Sequence, residues 1–456
     1  MVQRMKVLRV SSIYSQMSGN DNIRVRVFRV WYRVVGRNRK TVSDERMVKF
    51  PGSCRCSVTR IILYLLMAIP SSFVLAQYHP SPADWRDQNI YFIFTDRFND
   101  GDPSNNNANP QSSYNGTNSR RIHGGDFRGI EQKLDYIQAL GATAIWITPI
   151  PQNVGSSGYH GYGADNFYQL QPNWGSMSDL TSMVAAAHSR GMYVVLDVVC
   201  NHQGNRIDSA NSSWGTVFNA SGYPVRWSNS ANQYPAPFNQ LTNFHNNGAI
   251  QYYIDPNQVL GELSGLDDLR TETMHVRTNM VNIYAYWIQA ADFDGFRLDT
   301  AKHVEPGFWQ HFNPAIRAYA ASLGKTNFFQ FGEVFDGSDS KCGFYTGTKA
   351  GGAFANDSVL DYPLYYKLQS ALATASGNTK QLEDRFNAIA GNYDPAAEYH
   401  LVTFLDNHDQ PRFMSPNWAN NNTNRLAVAL AFLYSARGIP CLLRNRAELQ
   451  WRRRSR

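Results

Sequence analysis

The sequence predicts an α/β protein: a (β/α)8 TIM barrel with an irregular domain inserted after its third strand. Three observations lead there. Eight short apolar runs alternate with amphipathic stretches between residues 90 and 443, the rhythm of repeated βα units. Four of these runs end in clusters of acidic and basic residues, as expected where parallel strands deliver groups to one rim of a barrel. One interval, Asp197 to Asp299, covers 102 residues, against ~30 for a βα unit, and marks the insertion.

The expected strands are 90–95, 144–148, 193–199, 293–298, 327–331, 359–362, 400–405 and 439–443. The long interval contains 203–268, rich in Asn, Ser, Gly and Trp and poor in helical patterns. The barrel is therefore expected in two parts, 77–202 and 269–443, with 203–268 inserted between them. A second loose loop, 99–125, carries the run Asp100-Gly101-Asp102-Pro103-Ser104-Asn105-Asn106. No short-period repeat is present.

Composition excludes disorder: of 456 residues, 43% are hydrophobic and 13% aromatic, enough to bury a large core. The net charge of +7 sits at the ends. Residues 1–60 hold 14 Lys and Arg against 3 Asp and Glu, and 444–456 hold 6 Arg against 1 Glu. The body between them is acidic, which argues against a nucleic-acid partner held by a general basic surface.

Residues 61–69 are apolar, follow Lys49, Arg55 and Arg60, and lead through Pro70 to a small-residue site ending at Ala76. This is the pattern of a secretory signal peptide, expected over 47–76 with Met47 as the start. Residues 1–46 are then a spurious N-terminal extension, and the mature protein is secreted. The apolar stretch falls short of the ~20 residues of a spanning helix, so no stable membrane anchor is expected. Cys54 and Cys56 precede the cut. Cys200, Cys342 and Cys441 remain, which leaves open one disulfide with a spare thiol or three buried thiols.

The chemistry lies in four segments. Asp197-Val198-Val199-Cys200-Asn201-His202 ends the third strand, and Arg297-Leu298-Asp299-Thr300-Ala301-Lys302-His303 ends the fourth. Gly332-Glu333-Val334 ends the fifth, and Asp406-Asn407-His408-Asp409 ends the seventh. Asp299, Glu333 and Asp409 are spaced by whole βα units, so they face one rim. Carboxylates gathered in one pocket repel, which raises the pKa of one of them. Arg297, two residues before Asp299, shares its face of the strand and can keep Asp299 ionised.

These segments resemble the motifs of the α-amylase family of glycoside hydrolases, as do Gly125-Asp126-Phe127-Arg128-Gly129-Ile130 and Gly141-Ala142-Thr143-Ala144-Ile145-Trp146. The resemblance covers residues 85–443 and implies retaining hydrolysis of internal α-1,4-glucosidic bonds in starch, glycogen and related α-glucans. It implies Asp299 as nucleophile, Glu333 as acid and base, and Asp409 as stabiliser of the oxocarbenium-like transition state. In Tyr159-His160-Gly161-Tyr162, Tyr162 would stack on the sugar and His160 would hydrogen-bond it. His202, Arg297 and His408 would complete the sugar site, with Lys302 and His303 reaching the leaving-group sugar.

The resemblance also implies structural Ca2+, held by Asn201, Asp268 and the backbone carbonyl of His303. A second Ca2+ site, like that of cyclodextrin-forming relatives, would use Asp100, Asp102, Asn105, Asn106, Gly124 and Asp126. Hard cations take such oxygen ligands. The family continues after the eighth strand into a last helix and a β-sandwich domain, whereas residues 444–456 form an aberrant basic tail. The last helix and the β-sandwich are thus expected to be missing; without the helix over the last strand, apolar surface is expected to be left bare and the chain to be unstable or inactive as written. A monomer is expected. Two rival readings are a transglycosylase of the same family and a catalytically dead carbohydrate-binding relative. Cyclodextrin-forming relatives carry an aromatic residue where this chain has Ser264, which favours hydrolysis. All three acids are present, which disfavours the dead relative.

Overall fold

A computed structural model describes residues 78–443 except 110, 154, 156–157, 209–216, 348–354 and 375–376, together with four short strands near the N-terminus. The chain divides into two units, 1–77 and 78–456. In the first, Val7–Val10 pairs with Val30–Arg33, and Ile13–Ser18 with Asn22–Val27, both antiparallel. The expected signal peptide and the basic tail lie outside the described residues.

All eight expected barrel strands form. They are β1 (Ile90–Ile93), β2 (Ala144–Ile147), β3 (Tyr193–Val198), β4 (Gly295–Leu298), β5 (Phe329–Gly332), β6 (Ser358–Val359), β7 (Val402–Phe404) and β8 (Ile439–Leu443). Consecutive strands from β1 to β6 pair in parallel, as do β7 with β8 and β8 with β1. Between β6 and β7 the ring closes through a parallel bridge, Leu360 to Val402, with Asp361 N donating to Val402 O at 2.8 Å.

Alternation along the strands builds two cores. Ile90, Phe92, Trp146, Val195, Phe331, Phe404 and Cys441 fill the barrel. Tyr91, Ile93, Ile145, Ile147, Val194 and Leu196 face outward onto the helices. Those helices include α1 (Met177–His188), α2 (Met274–Ala291), α3 (Pro306–Ser322), α4 (Tyr362–Leu368) and α5 (Thr423–Ser435). In α1, Leu180, Met183, Val184 and Ala187 recur at helical spacing and are buried. Ser176 and Asp179 form a capping box at its start.

The stretch between β3 and α2 has few regular elements among the described residues. A two-residue ladder joins Ile207–Asp208 to Arg226–Trp227. Asp267 anchors it, accepting from Arg206 N at 2.6 Å, Ile207 N at 3.1 Å and the Tyr234 hydroxyl. Cys200, Cys342 and Cys441 are free and buried, so the alternative of three buried thiols holds. No helix among the described residues is long and apolar enough to cross a membrane.

Candidate active site

Strand register gathers the charges. Arg297 on β4 lies level with Asp197 on β3, and Asp299 follows two residues later on the same face. Arg297 Nη1 donates to Asp197 Oδ1 at 2.8 Å and to Asp299 Oδ1 at 2.6 Å. Its Nη2 lies 2.9 Å from Glu333 Oε1 at the end of β5. Three buried carboxylates thus share one guanidinium. The backbone closes the same corner: Glu333 N donates to Leu298 O, and Ala301 N to Glu333 O.

One cation cannot neutralise three anions, so a proton is held among them. Burial drives Asp299 well above the usual carboxylate range, with Arg297 opposing and Glu333 adding to the rise. Burial also pushes Glu333 up, but Arg297, His408, Thr300 N–H and the Tyr362 hydroxyl outweigh it and hold Glu333 low. Asp197 is raised by burial against the pull of Arg297. Arg297 contacts Asp299 and opposes the rise, while burial and Glu333 drive it. Arg297 is divided among three acids, and Glu333 collects more donors than Asp299.

Asp409 sits at the mouth, with its side chain 46% exposed. His408 Nε2 lies 3.3 Å from its Oδ2, and its backbone N donates to Asn407 Oδ1 at 2.9 Å. Asn407 Nδ2 donates to the Tyr362 hydroxyl at 3.0 Å, and that hydroxyl donates to Glu333 Oε1 at 3.2 Å. A hydrogen-bond path thus links the loop after β7 to the acid on β5.

Tyr162 forms a wall of the pocket. Its ring lies parallel to His408, 5.4 Å away, and its hydroxyl donates to Asp197 Oδ2 at 2.8 Å. His160 Nδ1 accepts from Tyr162 N at 2.9 Å, and burial lowers its pKa to about 4. His202 Nε2 meets Tyr162 O at 2.9 Å, so Nε2 carries the proton and Nδ1 faces Asn201 Nδ2 at 3.2 Å. Burial lowers His202 to about 4 as well. Both ring nitrogens of His202 are engaged inside the protein. It holds the backbone of Tyr162 in place and has no nitrogen left for a sugar hydroxyl.

Lys302 Nζ donates to Phe335 O at 2.6 Å and lies 4.9 Å from the centre of the Tyr253 ring. His303 Nδ1 meets Gln258 O at 2.9 Å, tying the turn after β4 to the inserted stretch. Trp146 donates to Asp197 Oδ2 from inside the barrel, Tyr362 and Asn407 join the cluster through Glu333, and Tyr253 and Phe335 flank Lys302. Sequence reasoning gave none of these a role, although Trp146, Asp197 and Asn407 stand inside its motifs.

The two Ca2+ donor sets differ. Asn201 Nδ2 lies 3.2 Å from Asp268 Oδ1, and His245 Nδ1 lies 2.7 Å from Asp268 Oδ2. Burial raises Asp268 to about 7 despite His245. A buried carboxylate beside a side-chain amide offers oxygen ligands of the kind a hard cation takes. In the loop at 100–126, the Asn105 and Asn106 amide oxygens are buried without donors. A Cβ on Gly124 would lie 2.5 Å from Asn106 Oδ1 and 2.8 Å from Asp100 Oδ2, so these oxygens converge where only glycine fits. That cradle also fits a cation. Asp126 is engaged by four donors, from Gly101, Asp102, Asn105 and Gly129, and organises the loop. Asp102 turns away, to Ser104 and Arg128.

The sequence pattern of the family described as "Alpha amylase, catalytic domain" matches residues 92–444. The chain is 35% identical to a Beta/alpha-amylase of Paenibacillus polymyxa, over 79% of this chain and 27% of that protein. It is 32% identical to an alpha-amylase of Streptomyces lividans, over 66% and 37%. It is 30% identical to a cyclomaltodextrin glucanotransferase of Klebsiella oxytoca, over 79% and 57%. The chain thus spans between about a quarter and three fifths of these relatives. The crystal structure of an alpha-amylase from Geobacillus thermoleovorans, complexed with acarbose, superimposes with a TM-score of 0.64 at 33% identity, covering 79% of this chain and 71% of that one. With the barrel and its acidic rim already described, the match over most of the chain decides the family: this chain belongs to the α-amylase family of glycoside hydrolases.

Proposed function

We propose that the chain cleaves internal α-1,4-glucosidic bonds of starch-like α-glucans with retention of configuration. The observation that carries this reading is the sharing of Arg297 by Asp197, Asp299 and Glu333. Asp299 attacks the anomeric carbon as Glu333 gives its proton to the departing glycosidic oxygen, and a covalent glycosyl-enzyme forms. Glu333 then takes a proton from water, whose oxygen displaces Asp299. The reacting state needs the shared proton on Glu333. A glycosidic oxygen beside Glu333 is an acceptor that favours that placement, and positive charge developing on the sugar favours ionised Asp299. Asp409 at the mouth faces the same charge, and Tyr162 offers its ring to the sugar.

Ca2+, when bound, supplies positive charge at the junction of barrel and insertion. Asn201 and Asp268 would hold it, with the carbonyl of His303. Asp100, Asn105, Asn106 and the Gly124 cradle would hold a second. The apolar segment 61–76 supports secretion, and the acidic body supports action without nucleic acid. Monomeric action on α-glucan completes the reading.

Transglycosylation is the second reading. The glucanotransferase relatives support it, and so do the half-exposed rings of Tyr253 and Phe335 beside Lys302, which could seat an acceptor sugar. Ser264 in place of an aromatic side chain favours water as acceptor. Incubation with amylose separates the two: linear maltooligosaccharides released as α-anomers support hydrolysis, and cyclic or disproportionated products support transfer. No cleavage by a folded protein that carries all three acids would refute both.

A further inference from the structure

The ring of strands has its thinnest join beside the acid on β5. Among the described residues, β6 and β7 are joined by one bridge, Leu360 to Val402, where each other neighbouring pair in the ring forms a ladder. Tyr362 and Asn407 stand on the two lips of that seam, just after β6 and just after β7. Arg297 Nη2 and Thr300 N hold the Glu333 carboxyl from the β4 side, at 2.9 and 3.1 Å. The Tyr362 hydroxyl, 3.2 Å from Oε1, holds it from the β6 side and is itself fixed by Asn407 Nδ2.

A clamp from outside the barrel grips one lip. Arg385, on the helix Lys380–Ile389, is only 2% exposed. Its Nη2 donates to Asp361 Oδ1 at 2.6 Å, and its Nη1 lies 3.1 Å from Asp339 Oδ1. The Tyr393 hydroxyl donates to the same Asp339 oxygen at 3.1 Å, and Arg385 lies 5.4 Å from the centre of the Tyr393 ring. Asp361 ties these parts to the rim. Its N–H closes the seam on Val402 O, its Oδ1 caps α4 by accepting from Leu364 N at 2.9 Å, and the next residue is Tyr362. A guanidinium stays charged at any working pH, and its planar fork fixes direction as well as distance. A catalytic acid tolerates little displacement, since an error of about 1 Å can cost ~10²-fold.

We propose that Arg385 is a positioning residue for the general acid: through Asp361 it sets the start of α4 and so holds the Tyr362 hydroxyl against Glu333. The inference rests on the hydrolase reading of Glu333, and the test keeps the two apart. Arg385→Met and Tyr362→Phe are made singly and together, and thermal unfolding sets an assay temperature at which each is folded. Should Arg385→Met not fold, Asp361→Asn replaces it, since the amide keeps the cap oxygen and gives up the ionic bond to Arg385. Two substrates are compared. Maltoheptaose needs a proton from Glu333 as its glycosidic bond breaks, whereas α-maltotriosyl fluoride loses fluoride to the attack of Asp299 with little help from an acid. Each single variant should lower kcat for maltoheptaose roughly tenfold with KM within about twofold, and keep fluoride cleavage within about threefold of the parent. The two changes together should lose no more than Tyr362→Phe alone, as expected of groups that act in one chain. Equal losses on both substrates, losses that multiply in the double variant, or an unchanged kcat overturn the positioning role and leave Arg385 as a structural ion pair. A parent that cleaves neither substrate overturns the hydrolase reading, and the positioning role with it.

Discussion

The barrel buries a charge cluster at each end, and the two are balanced in opposite ways. At the rim, Asp197, Asp299 and Glu333 share Arg297. At the base, Asp292 and Asp294 meet Lys325, His188 and His79. Lys325 Nζ lies 2.6 Å from Asp292 and 2.7 Å from Asp294, His188 Nε2 lies 2.8 Å from Asp294, and the His79 and His188 rings stack 4.0 Å apart. Cations match anions there. Burial would raise Asp294, but the hydrogen bond from His188, the nearby His79 ring and the charge of Lys325 hold it well below the usual carboxylate range. Similar side chains in a similar fold thus make a lock at one end and a proton store at the other. The number of cations per carboxylate decides which.

Breaking the base should cost the most stability. Lys325→Met leaves buried Asp294 and partly exposed Asp292 without their ammonium, and a loss of about 3–5 kcal/mol is expected in denaturant unfolding. A loss near zero would mean that the base is no lock. The Asn201–Asp268 pair is an intermediate case, half balanced by His245. Chelating Ca2+ from protein held at ~100 times its Kd should lower stability by about 2.7 kcal/mol, and Asp268→Asn should remove most of that response. Equal responses in parent and variant would dissociate Asp268 from the ion.

The pH limbs sharpen the contrast further. Asp294 is depressed, so its contribution is present above its unfolded value near ~3.9 and is lost as pH falls through the lower folded value. Asp299 is raised, so its protonated form contributes below ~3.9, and that contribution is lost as pH rises through the higher folded value. Asp294→Asn should flatten the acid limb of a Tm profile, and Asp299→Asn the limb above pH ~4. Each variant should leave the other's limb as it is in the parent. Matching slopes in the two variants would erase the difference between the clusters.

Much of this was legible in the sequence because barrel strands are local apolar runs. The strand ends were less so. The run at 359–362 reads as strand, yet the strand stops at Val359, because Asp361 caps α4 and Pro363 sits in its first turn. That switch carries the Tyr362 hydroxyl to Glu333, a contact no spacing announces. Asp294 precedes β4 and belongs to the base network, since its side chain turns away from the rim. Asp299, Glu333 and Asp409 were legible as acids after apolar runs. The sharing of Arg297 by Asp197, Asp299 and Glu333 depends on register across three strands. Tyr253 sits in the irregular insertion, where no periodicity marks a wall of the cleft. The engagement of His202 by Tyr162 O joins residues 40 apart and has no local signal.

The most direct test replaces one rim acid by its amide. Glu333→Gln removes the candidate general acid and keeps its shape, so cleavage of maltoheptaose should fall by at least ~10²-fold, the scale of a lost general acid, while the protein stays folded. Retained cleavage by the folded variant would contradict the assignment of the rim as the catalytic centre.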